Sequence, residues 1–367
     1  MKRLPSVAFP LPSGLYYGWV IVGVAVLMNL VASPTNPVIF SFFIGPMSEE
    51  LGWSRSTLSW ALTFRLAAAG VSSPFLGALV DRYGARWLGV AAGFIAGGCL
   101  IAFAFTHHVW YLYLISAVSG LGGFGGPGGA LLTMVPTARW FRAKRGRALA
   151  IATIGMPGGT VLGIPLAQWL ITTIGWREAW VVFGIVVMAV VVPLSFLFMR
   201  RAPEDLGLAV DGVPGGEAPA AQGQRRRQAT TVDWTAGQAM RTPAFWFILG
   251  GLGVSGLALN GTLVHRVSFW AEVGMSPALV ALGTALDPLT VIFSALLFGA
   301  FAERVRTRYL GLVAGGGWAL SMLPMIFPTA HAGSILSHGI AWGLFAGSHI
   351  TVNNLIWPNY YGSRHLG

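Results

Sequence analysis

The feature that most constrains this chain is repetition of one kind of segment. Stretches of roughly twenty apolar residues follow one another along its whole length, each sufficient to cross a bilayer as a helix. Ten spans are read, over 15–46, 56–80, 87–106, 110–138, 146–173, 177–199, 243–270, 277–302, 309–328 and 333–360. Helix is the expected element throughout, because a segment in lipid must satisfy its own backbone hydrogen bonds. The composition agrees: 10% of residues are charged, against about 25% in soluble domains. The formal charge of +11 does not point to nucleic acid, because the bases sit in the short gaps between spans, where membrane orientation is set. With the N-terminus inside, 19 of the 23 lysines and arginines lie on the cytoplasmic side, and Arg55, Arg177 and Arg266 on the outer side. Arg65 is left within a span. The expectation is a multi-pass cell-membrane protein with a cytoplasmic N-terminus, the lipid bilayer as its partner, and a monomeric state. "MKRLPS" looks like a signal-peptide start, but the apolar run after it continues past signal length and is read as a retained span. Cys99 is the one cysteine, so neither an intrachain disulfide nor a cysteine-built metal site is available.

Between spans six and seven lies "RAPEDLGLAVDGVPGGEAPAAQGQRRRQATT", too polar and too rich in Pro and Gly to bury a core. The expected organisation is an N-terminal bundle over 1–199, a cytoplasmic disordered linker over 200–241 and a C-terminal bundle over 242–367. The two bundles are copies. At an offset of 222 residues, Gly77 falls on Gly299, Asp81 on Glu303, Arg82 on Arg304 and Arg86 on Arg308. Glu50, Gly52 and Ser54 fall on Glu272, Gly274 and Ser276; further on, Gly93 meets Gly315 and Pro136 meets Pro358. Chance glycine matches are cheap in so glycine-rich a chain, whereas charged and proline matches at one offset are not. Duplicated bundles are a construction of secondary transporters, with the solute site near the midplane. On this register Gly367 corresponds to Arg145, just before span five. The second copy therefore has no counterparts of spans five and six, and the chain is expected to be a fragment or truncated form with ten spans of twelve.

"GALVDRYGAR", from Gly77 to Arg86, resembles the major facilitator superfamily signature between spans two and three. "YYGWVIVGVA", "ELGWSRSTLS", "ARWFRAKRGRALAIATIGMPGG", "RAPEDLGL" and "NYYGSRHLG" resemble the branch that contains monocarboxylate and oxalate–formate carriers. The resemblance implies an all-α membrane protein of two pseudo-symmetric helical bundles that rock to give alternating access, with spans 1, 4, 7 and 10 lining the cavity. It also implies a conformational latch. Gly77 and Gly299 allow close helix packing, and Asp81 and Glu303 each face a helix N-terminus of the opposite half. Arg82, Arg86, Arg304 and Arg308 hold those carboxylates. The partner of Asp81 would belong to span eleven, and that of Glu303 to the start of span five near Ala148, so only the second latch is expected to close. The family's aspartate and arginine on span eight are replaced here by Val291 and Ala295, and its span-one lysine by Pro37.

An ionisable side chain in mid-span costs about 2.5–3.5 kcal/mol on insertion scales and is a functional candidate by default. Arg65 and Asp287 are such residues and are twins under the 222 offset. Arg65 is expected to recognise an anionic solute, and Asp287 to carry a proton or balance Arg65; the competing reading is a salt bridge joining the halves. Further substrate-site candidates are Asn29 and Asn36 on span one, where Pro34 and Pro37 should kink the helix, Asn260 on span seven, and His349 and Asn353 on span ten. Interhelical hydrogen bonding is the plainer reading of each. His265 and Arg266 are placed at the outer mouth. "GLGGFGG" contains G-x-G-x-x-G, but inside span four it lacks the strand a dinucleotide site needs. There is no P-loop. No enzyme activity, cofactor, metal or nucleic-acid partner is expected. Three functions compete: a proton-linked carrier of a small organic anion such as a monocarboxylate, an exporter of hydrophobic compounds, and a non-transporting sensor or inactive fragment.

Overall fold

The computed structural model describes residues 16–122, 127–212, 234–302 and 304–361. These residues are helical with no strand among them. The helices are α1 Tyr17–Val31, α2 Pro37–Leu51, α3 Arg55–Tyr83, α4 Ala85–Phe103, α5 Val109–Leu121, α6 Pro127–Trp140, α7 Arg145–Thr153, α8 Gly155–Ile174, α9 Trp176–Phe198, α10 Pro243–Glu272, α11 Pro277–Phe301, α12 Thr307–Leu320 and α13 Ala332–Tyr361. Two compact units contain them: residues 1–227 with 366–367, and residues 228–365.

Seven helices are long and apolar enough to cross a membrane: α3, α4, α7 with α8, α9, α10, α11, and α12 with the turn after it. Spans one, four and ten of the sequence reading are not among them, so the count of ten is not reproduced by length and hydropathy. The reason is local. Span one is broken into α1 and α2 by a 3-10 turn at Ser33–Thr35, where Pro34 and Pro37 remove backbone donors. Asn36 restarts the helix as N-cap, its Oδ1 accepting from the Val38 amide at 2.9 Å. Span four is covered by α5 and α6, and residues 123–126 between them lie outside the described residues.

Equivalent residues of the repeat do equivalent local work. Gly52 and Gly274 both adopt positive φ, 68° and 92°, just past a helix end, a conformation that costs glycine little. Ser54 and Ser276 then cap the next helices, accepting from the Thr57 and Leu279 amides.

Glycine seams set the packing of each unit. In unit 1, Gly89, Gly93 and Gly97 of α4 face α9; a Cβ at Gly93 would lie 3.0 Å from Val191, and one at Gly97 2.7 Å from the Gly184 carbonyl. In unit 2, Gly339, Gly343 and Gly347 of α13 face α11; a Cβ at Gly343 would lie 2.6 Å from the Asp287 carbonyl. Spacing of four keeps each set on one helix face and lets backbones approach. The core of unit 1 is one continuous cluster in which Trp180 stacks on Phe43 with centroids 3.8 Å apart. Unit 2 has two smaller clusters, around Trp270 and Ile335 and around Phe298 and Leu310.

The start of the segment read as linker is folded. Residues 200–212 lie against unit 1, with Pro203 buried. The Asp211 carboxylate accepts from the amides of Arg142, Ala143 and Lys144, the shortest at 2.8 Å. Residues 213–233 lie outside the described residues, and the end of the segment is folded too, with a short helix at Ala236–Ala239 capped by Thr235.

Candidate functional site

Asp287 sits ten residues into α11 and is 7% exposed. Pro277 at the helix start and the Ser276 cap fix where α11 begins, and the α13 glycine seam holds the Asp287 backbone against a neighbouring helix. Its carboxylate forms an ion pair with Arg266 of α10 through Oδ2. Arg266 is likewise 7% exposed. The sequence reading set Arg266 at the outer mouth; in the structure it lies six residues before the end of α10, buried and paired with Asp287. The pair is incompletely satisfied: Asp287 Oδ1 and Arg266 Nε are buried with no hydrogen-bond partner among the described residues.

Aromatic rings surround it. The Arg266 guanidinium lies 5.7 Å from the Trp342 ring, within cation–π range. Trp342 also contacts Trp318 at 5.2 Å and His338 at 5.8 Å. His338 is 2% exposed. Its Nδ1 bonds the Ser321 carbonyl at 2.8 Å, and its Nε2 has no partner among the described residues. His349 packs on Trp318 with ring centroids 5.0 Å apart. Unit 2 thus holds a buried cation, a buried acid and two imidazoles on α10, α11 and α13. Sequence reasoning missed Arg266 and His338. A signal for His338 existed, since residues 338, 342 and 349 fall on one face of a helix at 3.6 residues per turn.

The other candidates are placed as follows. Arg65 is 5% exposed on α3, at its crossing with α5, where a Cβ on Gly120 would meet the Arg65 carbonyl. Asn29 is buried and donates from Nδ2 to Thr133 Oγ1 and to the Ala152 carbonyl, both at 3.3 Å, so it ties α1 to α6 and α7. Asn36 serves as the α2 cap. Asn353 on α13 is exposed. Asn260 lies in α10, and its side chain is outside the described residues.

Of the latch residues, Gly77 and Gly299 are buried. Asp81 is paired with Arg139 at the end of α6, and Arg201 Nη2 donates to the Asp81 carbonyl at 2.7 Å. Arg82 and Arg86 lie over rings, and Arg308 bonds the Tyr309 hydroxyl at 3.0 Å. Arg304 is exposed, and Glu303 lies outside the described residues. A second network occurs near the end of α2. Glu50 accepts from the Trp176 indole at 2.5 Å and from Arg177 Nε at 3.0 Å, while Arg177 also bonds the Ala104 carbonyl. The Trp176 hydrogen bond, with Arg177 beside it, holds the Glu50 carboxyl below its ordinary value.

Comparison with known proteins agrees with this architecture. The chain is 22% identical to the oxalate:formate antiporter of Oxalobacter formigenes over 95% of its own length and 80% of that protein's. It is 26% identical to monocarboxylate transporter 11 of Mus musculus, over 98% and 77% of the two chains. Among solved structures it is similar in fold to the proton:xylose symporter XylE, with a TM-score of 0.68 at 17% identity, covering 95% of this chain and 84% of that one. The profile of the Major Facilitator Superfamily matches residues 23–367. That match covers nearly the whole chain, and this chain belongs to the Major Facilitator Superfamily of membrane transporters.

Proposed function

We propose that the protein is a secondary active carrier of a small organic anion, of the monocarboxylate or dicarboxylate class, working by alternating access with proton coupling. The observation that carries this reading is the Arg266–Asp287 pair buried in unit 2 with donor and acceptor capacity left over. Ionisable groups at such depth mark solute and proton pathways. In this reading Asp287 takes up the proton and releases Arg266, whose guanidinium then receives the solute carboxylate, a geometry that suits it better than an ammonium. Arg65 is a further buried cation, in unit 1, and a candidate for the same anion class. Low-identity relatives that carry oxalate, formate and monocarboxylates support the anion class.

The topology proposed is ten spans with a cytoplasmic N-terminus. Span one is the broken pair α1–α2, span four is carried by α5 and α6, and span ten is α13, thirty residues long and interrupted by polar groups at His338, His349 and Asn353. The three helices that fail a hydropathy criterion are thus three of the four that line the cavity in the family. The site is tested by uptake of radiolabelled formate, oxalate and lactate into proteoliposomes under an imposed pH gradient. Asp287→Asn removes the pH-driven component and Arg266→Ala removes uptake. Undiminished pH-driven uptake by both variants would overturn the assignment. Efflux of apolar dyes that neither substitution affects would favour the exporter reading instead.

A further inference from the structure

The sequence places Arg82 and Arg86 around Asp81, but in the structure Arg139 takes that carboxylate. The Arg86 guanidinium lies over the Phe196 ring at 4.6 Å and near the Trp87 ring at 5.7 Å. Those rings meet edge to face with centroids 5.5 Å apart. The start of α4 and the end of α9 therefore form a small cradle whose rim is aromatic. Arg86 Nε is buried there with no hydrogen-bond partner among the described residues. Arg200, just past α9, donates from Nη1 to the Met199 carbonyl at 2.9 Å and adds positive charge to the same corner, and Arg82 lies 5.3 Å from the Tyr83 ring. Among the described residues no carboxylate forms an ion pair with Arg82, Arg86 or Arg200.

Two features say what completes this corner. Mutually repelling guanidinium groups held at a helix end call for a shared anion, and a guanidinium kept flat by ring stacking offers paired N–H donors suited to phosphate. The rings beside them are not covered by protein: Tyr83 is 56% exposed and Trp87 53%. Tyrosine and tryptophan with that mixed character concentrate at headgroup level, and the exposed Phe94 continues the apolar surface one or two turns along α4. A free phosphate would use the arginines and leave the rings idle. A phospholipid uses both.

We propose that this corner of unit 1 is a binding site for an anionic phospholipid, its phosphate held by Arg86 and Arg200 and its glycerol and upper acyl chain lying on Tyr83, Trp87 and Phe196. The inference is independent of the solute that the protein carries. It is tested on the full chain in detergent, back-titrated with phosphatidylglycerol or with phosphatidylcholine of the same acyl chains, counting retained lipids by native mass spectrometry. Phosphatidylglycerol is retained in preference. Arg86→Gln and Arg200→Gln each lower its retention by about fivefold, the effect of one basic residue near a charged surface, and lower that of phosphatidylcholine less, because choline already offsets its phosphate charge. Lys144→Gln, which removes an exposed charge away from the rings, leaves both lipids unchanged. Arg86→Lys, which keeps the charge and loses the flat stacked donor, falls between, and serves where Arg86→Gln does not fold. Equal retention of the two lipids, an equal loss with Lys144→Gln, or displacement of the lipid by inorganic phosphate would overturn the proposal.

Discussion

Gly93 on α4 and Gly315 on α12 hold the same place in the repeat, yet only one of them is packed. A side chain at Gly93 would run into Val191 and Val192 of α9, whereas nothing lies within 4 Å of one at Gly315. The same contrast recurs at Glu50, which is bonded to Trp176 and Arg177 at the start of α9, and at its twin Glu272, which is exposed. In both cases the partner in unit 1 comes from α9, and the described residues of unit 2 have no equivalent of α8 and α9. Among the described side chains, the core of unit 1 is one continuous cluster and that of unit 2 is two smaller ones. The difference teaches that a repeated sequence need not give repeated packing. Small residues on α4 and α12 are a common inheritance, and only the helix that lies across them turns them into a seam.

That contrast can be broken in three places. The largest effect is expected at the buried Arg266–Asp287 pair of unit 2. Truncating one partner of a buried pair leaves the other charge stranded, at about 3–5 kcal/mol. Arg266→Ala should therefore lower the melting temperature in detergent strongly, and Arg266→Met with Asp287→Leu should recover most of it; equal melting of the single and double variants would show that the charges are not mutually compensating. A middle effect is expected at the seams. Gly93→Leu overpacks α4 against α9 and costs about 1–3 kcal/mol, whereas Gly315→Leu leaves the melting temperature of the same preparation unchanged. Similar losses at both would mean that unit 2 packs its α12 face as unit 1 does.

The smallest effect is at the acids. The folded Glu50 carboxyl titrates below its ordinary value of 4.5. Its contribution is present above that value and is lost as the pH falls through the lower folded value. Because the side chain is half exposed, the contribution is small. Glu50→Gln should flatten the acid limb of the stability profile slightly.

Much of this was legible in the residues. The 222 offset found Gly52 with Gly274 and Ser54 with Ser276, because turn glycines and serine caps act through local backbone geometry. The prolines near Asn36 announced the break in span one for the same reason. What the sequence hid were contacts chosen between helices. Arg139 and Arg86 are both arginines at span ends, and nothing in their spacing says which one reaches Asp81 and which lies on Phe196. Arg266 could have been found. It lies six residues before the end of α10, and Asp287 ten residues after the start of α11. At 1.5 Å per residue these are depths of roughly 9 and 15 Å in antiparallel neighbours, a gap a long side chain closes.

The interruption at Ser33–Asn36 has one more effect. It starts a new helix part-way through a span, so the opening turn of α2 carries roughly half a unit of positive charge there. That charge comes from aligned peptide dipoles and no proton can leave it. Where a lysine would lose its attraction in an alkaline or dehydrated setting, this stretch of backbone keeps the same electrostatic sign at every pH the protein survives.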